Sequence, residues 1–476
     1  MDNLARLYKI FDHQMFEELL TQTAKLLGDD LSAHMNGQKK VNRYSPPEEE
    51  YRFWNALIES PSPLSWGDLL PIILERSIRI QNPGFIGHQV TAAAPLAAIG
   101  GLVSDYLNNG MGVYEMGNTA VALERIIIEW VTSRVGYGAH RGGFLTSGGS
   151  LANLTALLSA RNAWRRNQSF QEQTVKLGVL ISAQAHYSVE RAVRILDMEV
   201  IKVPVGPKMT ILTDRLENVL QQSGERQIVP IALVASAGTT ATGSFDDLDQ
   251  IAKFCIKNNI WLHVDGAHGG SVIFSEKYRH LAQGIHCAQS VSIDFHKMMM
   301  TPALCTALVF KNPHDSYQTY IHQASYLFEN EQEEWFNIAK RSFECTKFMM
   351  SLKVFLLKYY YGNAGFSAYV ENQFDLGIQF GHMVRDTSDF ELLLEPSANI
   401  VCFRYIGGKK PNSKDLNNLN GLIRQKLLEK GDYYIVQTTL DNNLWLRCTF
   451  MNPFSNQDIQ RQLLSEIRAI AETLKG

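Results

Sequence analysis

The sequence predicts an α/β protein built on a mostly parallel sheet, preceded by a helical arm and followed by a smaller α+β domain. Three features carry that expectation. Short apolar runs without strict alternation recur between about residues 85 and 315, the pattern of strands buried on both faces of a parallel sheet. Helix-length amphipathic segments such as "SVERAVRILDM" and "FDDLDQIAKFCIKNN" separate those runs. Beyond about residue 360, strand-like and helix-like stretches are arranged as in a small domain with its helices gathered to one side.

Residues 1–84 read as the helical arm, interrupted at "YSPPEEE" and "ESPSPLSW", where proline ends helices and extends the chain. Residues 85–360 form the large α/β domain. Its strands are expected within "KLGVLISAQAH", "QIVPIALVASAG", "NIWLHVDGAH", "SVSIDFHK" and "CTALVFKN". Residues 361–476 form the small domain, with strands at "SANIVCFRYIG" and "NNLWLRCTFMNP" and helices at "SKDLNNLNGLIRQKLLEKG" and "NQDIQRQLLSEIRAIAETLKG".

The chain's 476 residues are 45% hydrophobic and 20% charged, ordinary for a globular protein. Forty-five basic residues against 48 acidic ones give a net charge of -3 without a long basic run, which argues against nucleic acid or an anionic membrane as the main partner. A small-molecule substrate is expected instead. The six cysteines are scattered without CxxC or zinc-finger spacing, as expected of free thiols in a reducing compartment, and no metal is expected. The amino terminus lacks the apolar stretch of a signal peptide, and no run approaches the roughly 20 apolar residues of a membrane span. A soluble, cytoplasmic protein is the expectation.

In a parallel sheet, ligand groups collect at the carboxyl ends of the strands. His186 follows one predicted strand, Thr239 and Thr240 the next, Asp265 ends a third, and His296 and Lys297 follow a fourth. Singly, each has an ordinary role: Asp265 as a helix cap, Thr240 in a turn, Lys297 with its stem along the surface and its head in water. Lys297 is also placed as a Schiff-base lysine would be. The segment "TSGGS" leads into a helix, so that the N–H groups of Gly149 and Ser150, the Ser150 hydroxyl and the helix dipole converge on one anion site suited to phosphate. An aldehyde-reactive lysine, a phosphate cradle, a carboxylate and a histidine together specify pyridoxal 5'-phosphate. Asp265 would keep the pyridine nitrogen protonated, His186 would stack on the ring, Lys297 would bind the aldehyde, and His296 would lie beside the phosphate or the lysine.

The segments "QAHYSVERA", "SAGTTATGSFDDL", "WLHVDGAHGG" and "DFHKMMMTPALCTALVF" resemble the group II pyridoxal-phosphate-dependent amino-acid decarboxylases, among them the glutamate, cysteine sulfinate, 2,4-diaminobutyrate and aromatic amino-acid enzymes. Weaker similarity runs from "NPGFIGH" to "WLRCTFMNP". The resemblance implies the type I, aspartate-aminotransferase-like fold and an obligate homodimer with shared active sites, to which the arm would contribute. By position it implies that Gly149 and Ser150 bind phosphate, that Asp265 pairs with the pyridine nitrogen, and that His186 and Ala267 pack on opposite faces of the ring. Thr240 would lie near Asp265, His296 beside the Schiff-base lysine Lys297, and Arg447 in a strand of the small domain, structural or carboxylate-binding. The implied reaction is decarboxylation of an L-amino acid to its amine and carbon dioxide through an external aldimine and a quinonoid.

Two departures from the family pattern bear on the chemistry. Gly266 and His268 stand where many relatives carry alanine and an aromatic residue. Many relatives also place a tyrosine on a mobile loop to protonate the carbanion, yet between Tyr326 and Tyr359 this chain has none; Trp335 and Phe336 are among the aromatic residues available there. Relatives with phenylalanine at that tyrosine release aldehyde, ammonia and peroxide, so oxidative deamination coupled to decarboxylation is the alternative. An aminotransferase on the same fold is a further one. The substrate hints diverge: "GVYEMGN" and "AHYS" resemble the glutamate and cysteine sulfinate enzymes, "DFHK" the diaminobutyrate enzymes.

Overall fold

A computed structural model describes residues 3–139, 141–168, 175–320, 334–407 and 413–474. The chain divides into two compact units, one of Gln89–Met383 with Leu392–Cys402, the other of Met1–His88, Val384–Glu391 and Phe403–Gly476.

The first unit contains seven strands: β1 (Gly142–Thr146), β2 (Lys176–Ser182), β3 (Glu199–Val203), β4 (Ile228–Ser236), β5 (Trp261–Asp265), β6 (Ser290–Asp294) and β7 (Thr306–Phe310). They form one sheet in the order β1-β7-β6-β5-β4-β2-β3. The pairs β2 with β3, β2 with β4, β4 with β5 and β5 with β6 are parallel, whereas β7 is antiparallel to both β6 and β1. Two reversals cancel, so β1 runs parallel to β6. The carboxyl ends of β1, β2, β4, β5 and β6 therefore face the same edge of the sheet, where ligands of such folds bind.

Every residue of β1, β5, β6 and β7 is buried. This accounts for the unbroken apolar runs in the sequence. Helices cross between the parallel strands at Tyr187–Ile195, Leu216–Glu225 and Leu248–Lys257, and the last is capped by Asp247, which accepts the Gln250 N–H at 3.1 Å. A helical stretch, Ser351–Arg385, is broken at Gly362, whose φ of 60° lies outside the helical region.

The helix Asn118–Val135 carries a buried carboxylate, Glu124, that ties distant parts of this unit together. Its Oε1 accepts the Leu145 N–H of β1 at 2.9 Å and pairs with the ammonium of Lys347, which is fully buried. Removing one partner of such a pair strands the other charge away from water. Lys347→Met is expected to lower the unfolding free energy by about 3–5 kcal/mol, read from urea denaturation. The double variant Lys347→Met with Glu124→Leu should recover much of that loss, because no unpaired carboxylate is left behind.

The second unit begins with helices at Asn3–Ile10, His13–Met35, Pro47–Ile58 and Trp66–Arg76. Their starts follow local chemistry. Asp12 accepts the N–H groups of Gln14 and Met15 at 2.9 and 3.1 Å, while Pro47 opens its helix ahead of Glu48, Glu49 and Glu50, which favour the positive end of the dipole. A four-stranded sheet completes the chain: β8 (Phe390–Leu392), β9 (Ile400–Tyr405), β10 (Val436–Leu440) and β11 (Asn443–Thr449), in the order β10-β11-β9-β8. The helices Ser413–Lys430 and Gln457–Thr473 belong to this unit. Among the described residues no helix is long and apolar enough to cross a membrane.

Candidate active site

The site is assembled at the carboxyl edge of the seven-stranded sheet. After β1 the chain turns through Gly148, whose φ of 119° strains any side chain, and enters the helix Gly149–Arg166. No side chain caps that helix, so its first N–H groups need an acceptor from elsewhere. A Cβ on Gly149 would stand 3.1 Å from Asp294 Oδ1 and 3.2 Å from the Ala267 Cβ. The glycine thus keeps open the space in which an anion can meet the helix end.

His186 caps the helix after β2. Its Nδ1 accepts the Ser188 N–H at 3.2 Å and lies 2.7 Å from the Ser188 hydroxyl. Burial lowers the imidazole pKa, an effect opposed by the Asp265 charge and reinforced by Lys297. With Nδ1 accepting the Ser188 N–H, the neutral form of the ring carries its proton on Nε2. Asp265, the last residue of β5, is 9% exposed. Its Oδ1 accepts the Ala267 N–H at 3.1 Å, and its Oδ2 accepts from Asn153 Nδ2 at 2.9 Å.

Lys297 sits just past β6, and its Nζ is 3.0 Å from Asp294 Oδ2. Asp294 is 2% exposed; its Oδ1 accepts from the Thr306 hydroxyl at 2.6 Å, and His296 Nε2 lies 3.5 Å from its Oδ2. The lysine is thus kept near the interior by a buried counter-ion. Gly149, Ser150, His186, Thr240, Asp265, Ala267, His296 and Lys297, all anticipated from the sequence, line one cavity of about 220 Å³.

Comparison with known proteins was decisive for the family. Residues 70–406 match the pyridoxal-dependent decarboxylase conserved domain. The chain belongs to this family. It is 29% identical to the aromatic-L-amino-acid decarboxylase of Bacillus atrophaeus over 78% of each chain. It is 26% identical to the L-2,4-diaminobutyrate decarboxylase of Acinetobacter baumannii over 96% of each. The crystal structure of mouse CSAD has the same fold, with a TM-score of 0.89 over 97% of this chain and 99% of that one at 24% identity. As a member of the pyridoxal-dependent decarboxylase family, the chain is a lyase that uses pyridoxal phosphate to decarboxylate an amino acid.

The residues present fit that cofactor. An uncapped helix start held open by Gly149 suits its phosphate, a buried carboxylate suits its pyridinium, and an amine is available for its aldehyde. Among the described residues no cluster of three or more His, Cys, Asp or Glu could hold a metal ion.

Two polar residues that hold the site, Asp294 and Asn153, also line the cavity without having been singled out in the sequence. Asp294 stands three residues before Lys297 in "DFHK", and Asn153 follows Ser150 by three, which puts it on the same face of the helix. Spacing was the available signal for both.

The departures noted in the sequence have structural counterparts. A Cβ on Gly266 would lie 2.8 Å from the Ser292 carbonyl oxygen and 3.0 Å from the Gly270 Cα, so alanine would not fit here without movement of the backbone. His268 is buried in the cavity wall, with Nε2 2.8 Å from Asn399 Oδ1. Phe336 packs edge-on against Tyr114 and Trp335, at 5.8 Å from each. Tyr326 lies outside the described residues. Arg447 is buried within β11, opposite Val436 of β10.

Proposed function

We propose that the chain releases carbon dioxide and the corresponding amine from an L-amino acid, acting as a cytoplasmic homodimer with shared active sites. Pyridoxal phosphate, when bound, supplies an aldehyde that joins the substrate amine and a ring that takes up the electron pair left by the departing carboxylate. In this reading the N–H groups of Gly149 and Ser150, with the Ser150 hydroxyl, hold the phosphate at the helix start. Asp265 would accept a hydrogen bond from the ring nitrogen and keep its proton in place. His186 and Ala267 supply the surfaces against which the ring packs, with Thr240 beside Asp265. Lys297 would be the amine that holds the cofactor through its aldehyde, and Asp294, with His296 beside it, holds the lysine proton at Nζ.

The observation that carries this reading is the Lys297 ammonium, paired at 3.0 Å with buried Asp294 in the same cavity as Asp265 and the uncapped helix start. The exposed Leu4, Leu7, Tyr8, Ile10 and Phe11 of the arm support association with a second copy through residues 1–84. Six free cysteines agree with a reducing compartment.

The test is to load purified protein with pyridoxal phosphate and offer glutamate, aspartate, cysteine sulfinate, 2,4-diaminobutyrate, tryptophan and dihydroxyphenylalanine separately. Carbon dioxide, amine and peroxide are followed together. One chemical class of side chain should give carbon dioxide and amine in equal amounts without peroxide, because a pocket that pairs one charged or polar side chain rejects analogues lacking it. Peroxide equimolar with carbon dioxide would assign the oxidative reaction instead. A monomer by light scattering would overturn the shared-site dimer.

A further inference from the structure

Behind Asp265 runs a buried line of hydrogen bonds that the reaction itself does not use. The indole Nε1–H of Trp261 donates to Ser290 Oγ at 2.9 Å. Because indole only donates, the serine oxygen accepts there, and its own proton is available to His263 Nδ1, 2.9 Å away. The proton of His263 then resides on Nε2, which donates to Asn153 Oδ1 at 2.9 Å. That contact fixes the amide of Asn153, so that Nδ2 faces Asp265 Oδ2 at 2.9 Å and the Ser188 hydroxyl oxygen at 3.2 Å. Each member fits one direction of donation.

The fold places these groups together. His263 and Asp265 are two apart on β5 and share a face, and His263 pairs in register with Ser290 of β6. Asn153 comes from the first turns of the helix that starts at Gly149. Asn153 is 1% exposed, and His263 and Ser290 are fully buried. Burial also drives the His263 pKa down, in keeping with a neutral ring that has a single proton to donate.

We infer that Asn153 and His263 are positioning residues that turn the Asp265 carboxylate toward the ring nitrogen of the cofactor, with Ser290 selecting the His263 tautomer that permits it. This rests on the reading in which Asp265 meets that nitrogen. With Oδ2 accepting from Asn153 and Oδ1 from the Ala267 N–H, each oxygen of the buried carboxylate is fixed in direction and keeps a lone pair for a donor in the cavity.

The test measures equilibrium binding of pyridoxal phosphate, and of its analogue with carbon in place of the ring nitrogen, to cofactor-free protein by quenching of tryptophan fluorescence. Wild-type protein should prefer the natural cofactor by about tenfold or more, the scale of a hydrogen bond to a charged group. His263→Leu should reduce that preference by about tenfold while leaving affinity for the carbon analogue unchanged. His263→Gln, whose amide can donate to Asn153, should restore most of it. The ¹⁵N shift of labelled cofactor should move toward the unprotonated value in His263→Leu only. Should His263→Leu fail to fold, Asn153→Ala is measured in the same way. A variant that keeps the wild-type preference, or weakens both ligands equally, overturns the inference. Absence of any preference in wild-type protein would instead remove the Asp265 reading, and the inference with it.

Discussion

Lys297→Ala is expected to reduce carbon dioxide release by on the order of 10⁴-fold or more, because the residue proposed to engage the cofactor covalently is then missing. The measurement is carbon dioxide release under saturating cofactor and substrate. Borohydride reduction followed by peptide mass analysis supplies a second readout: the cofactor's mass should appear on the peptide containing Lys297 in wild-type protein and on no peptide of the variant. Loss of the lysine also leaves Asp294, 2% exposed, without its partner at 3.0 Å. The double variant Lys297→Ala with Asp294→Asn therefore separates chemistry from stability. It should unfold like wild type while remaining inactive. Wild-type activity in Lys297→Ala would overturn the assignment of the site.

Asp265→Ala is expected to lower the decarboxylation rate by about 10²–10³-fold, the scale of deleting one preorganised group that stabilises developing charge. The cause is specific. Without the carboxylate nothing in the proposed site holds a proton on the ring nitrogen, and the ring accepts electron density less readily. Cofactor affinity should fall as well, measured by fluorescence titration of the apoprotein. Asp265→Asn keeps the shape and loses the charge, so it should bind cofactor better than Asp265→Ala yet remain slow. Near-wild-type turnover in both variants would remove Asp265 from the chemistry.

Much of this architecture was legible in the chain because burial on both faces leaves an unmistakable pattern. "GVLIS", "ALVAS", "WLHV" and "SVSID" are strands whose ends carry His186, Thr240, Asp265 and Lys297, and the rule that ligands gather at such ends was enough to place the cavity. β1 and β3 were harder to see. "GGFLT" opens with two glycines and "EVIKV" carries charge at its exposed and half-buried positions, so neither presents a continuous apolar run. Asp294 leaves little trace in the sequence, because an acidic residue at the end of a strand also reads as a cap. Its role as counter-ion to Lys297 depends on a one-turn helix that places them three residues apart. Asn153 and His263 left still less trace, since an amide and an imidazole inside apolar segments reveal partners only when helix and strand are brought together.

The order of strands also bears on how the protein is made. β1, which leads into the helix that starts at Gly149, is joined only to β7 among the described strands, although 159 residues separate Thr146 from Thr306. Its buried Glu124 tie waits longer, for Lys347, 223 positions downstream. At ribosomal speed the chain needs roughly 10 to 45 seconds to cover that second distance. During that interval the nascent polypeptide holds the first strand of its cofactor domain with an unpaired edge. Until β7 has been made, the edge of β1 is open to pairing elsewhere, and rapid elongation or chaperone binding would shorten that exposure.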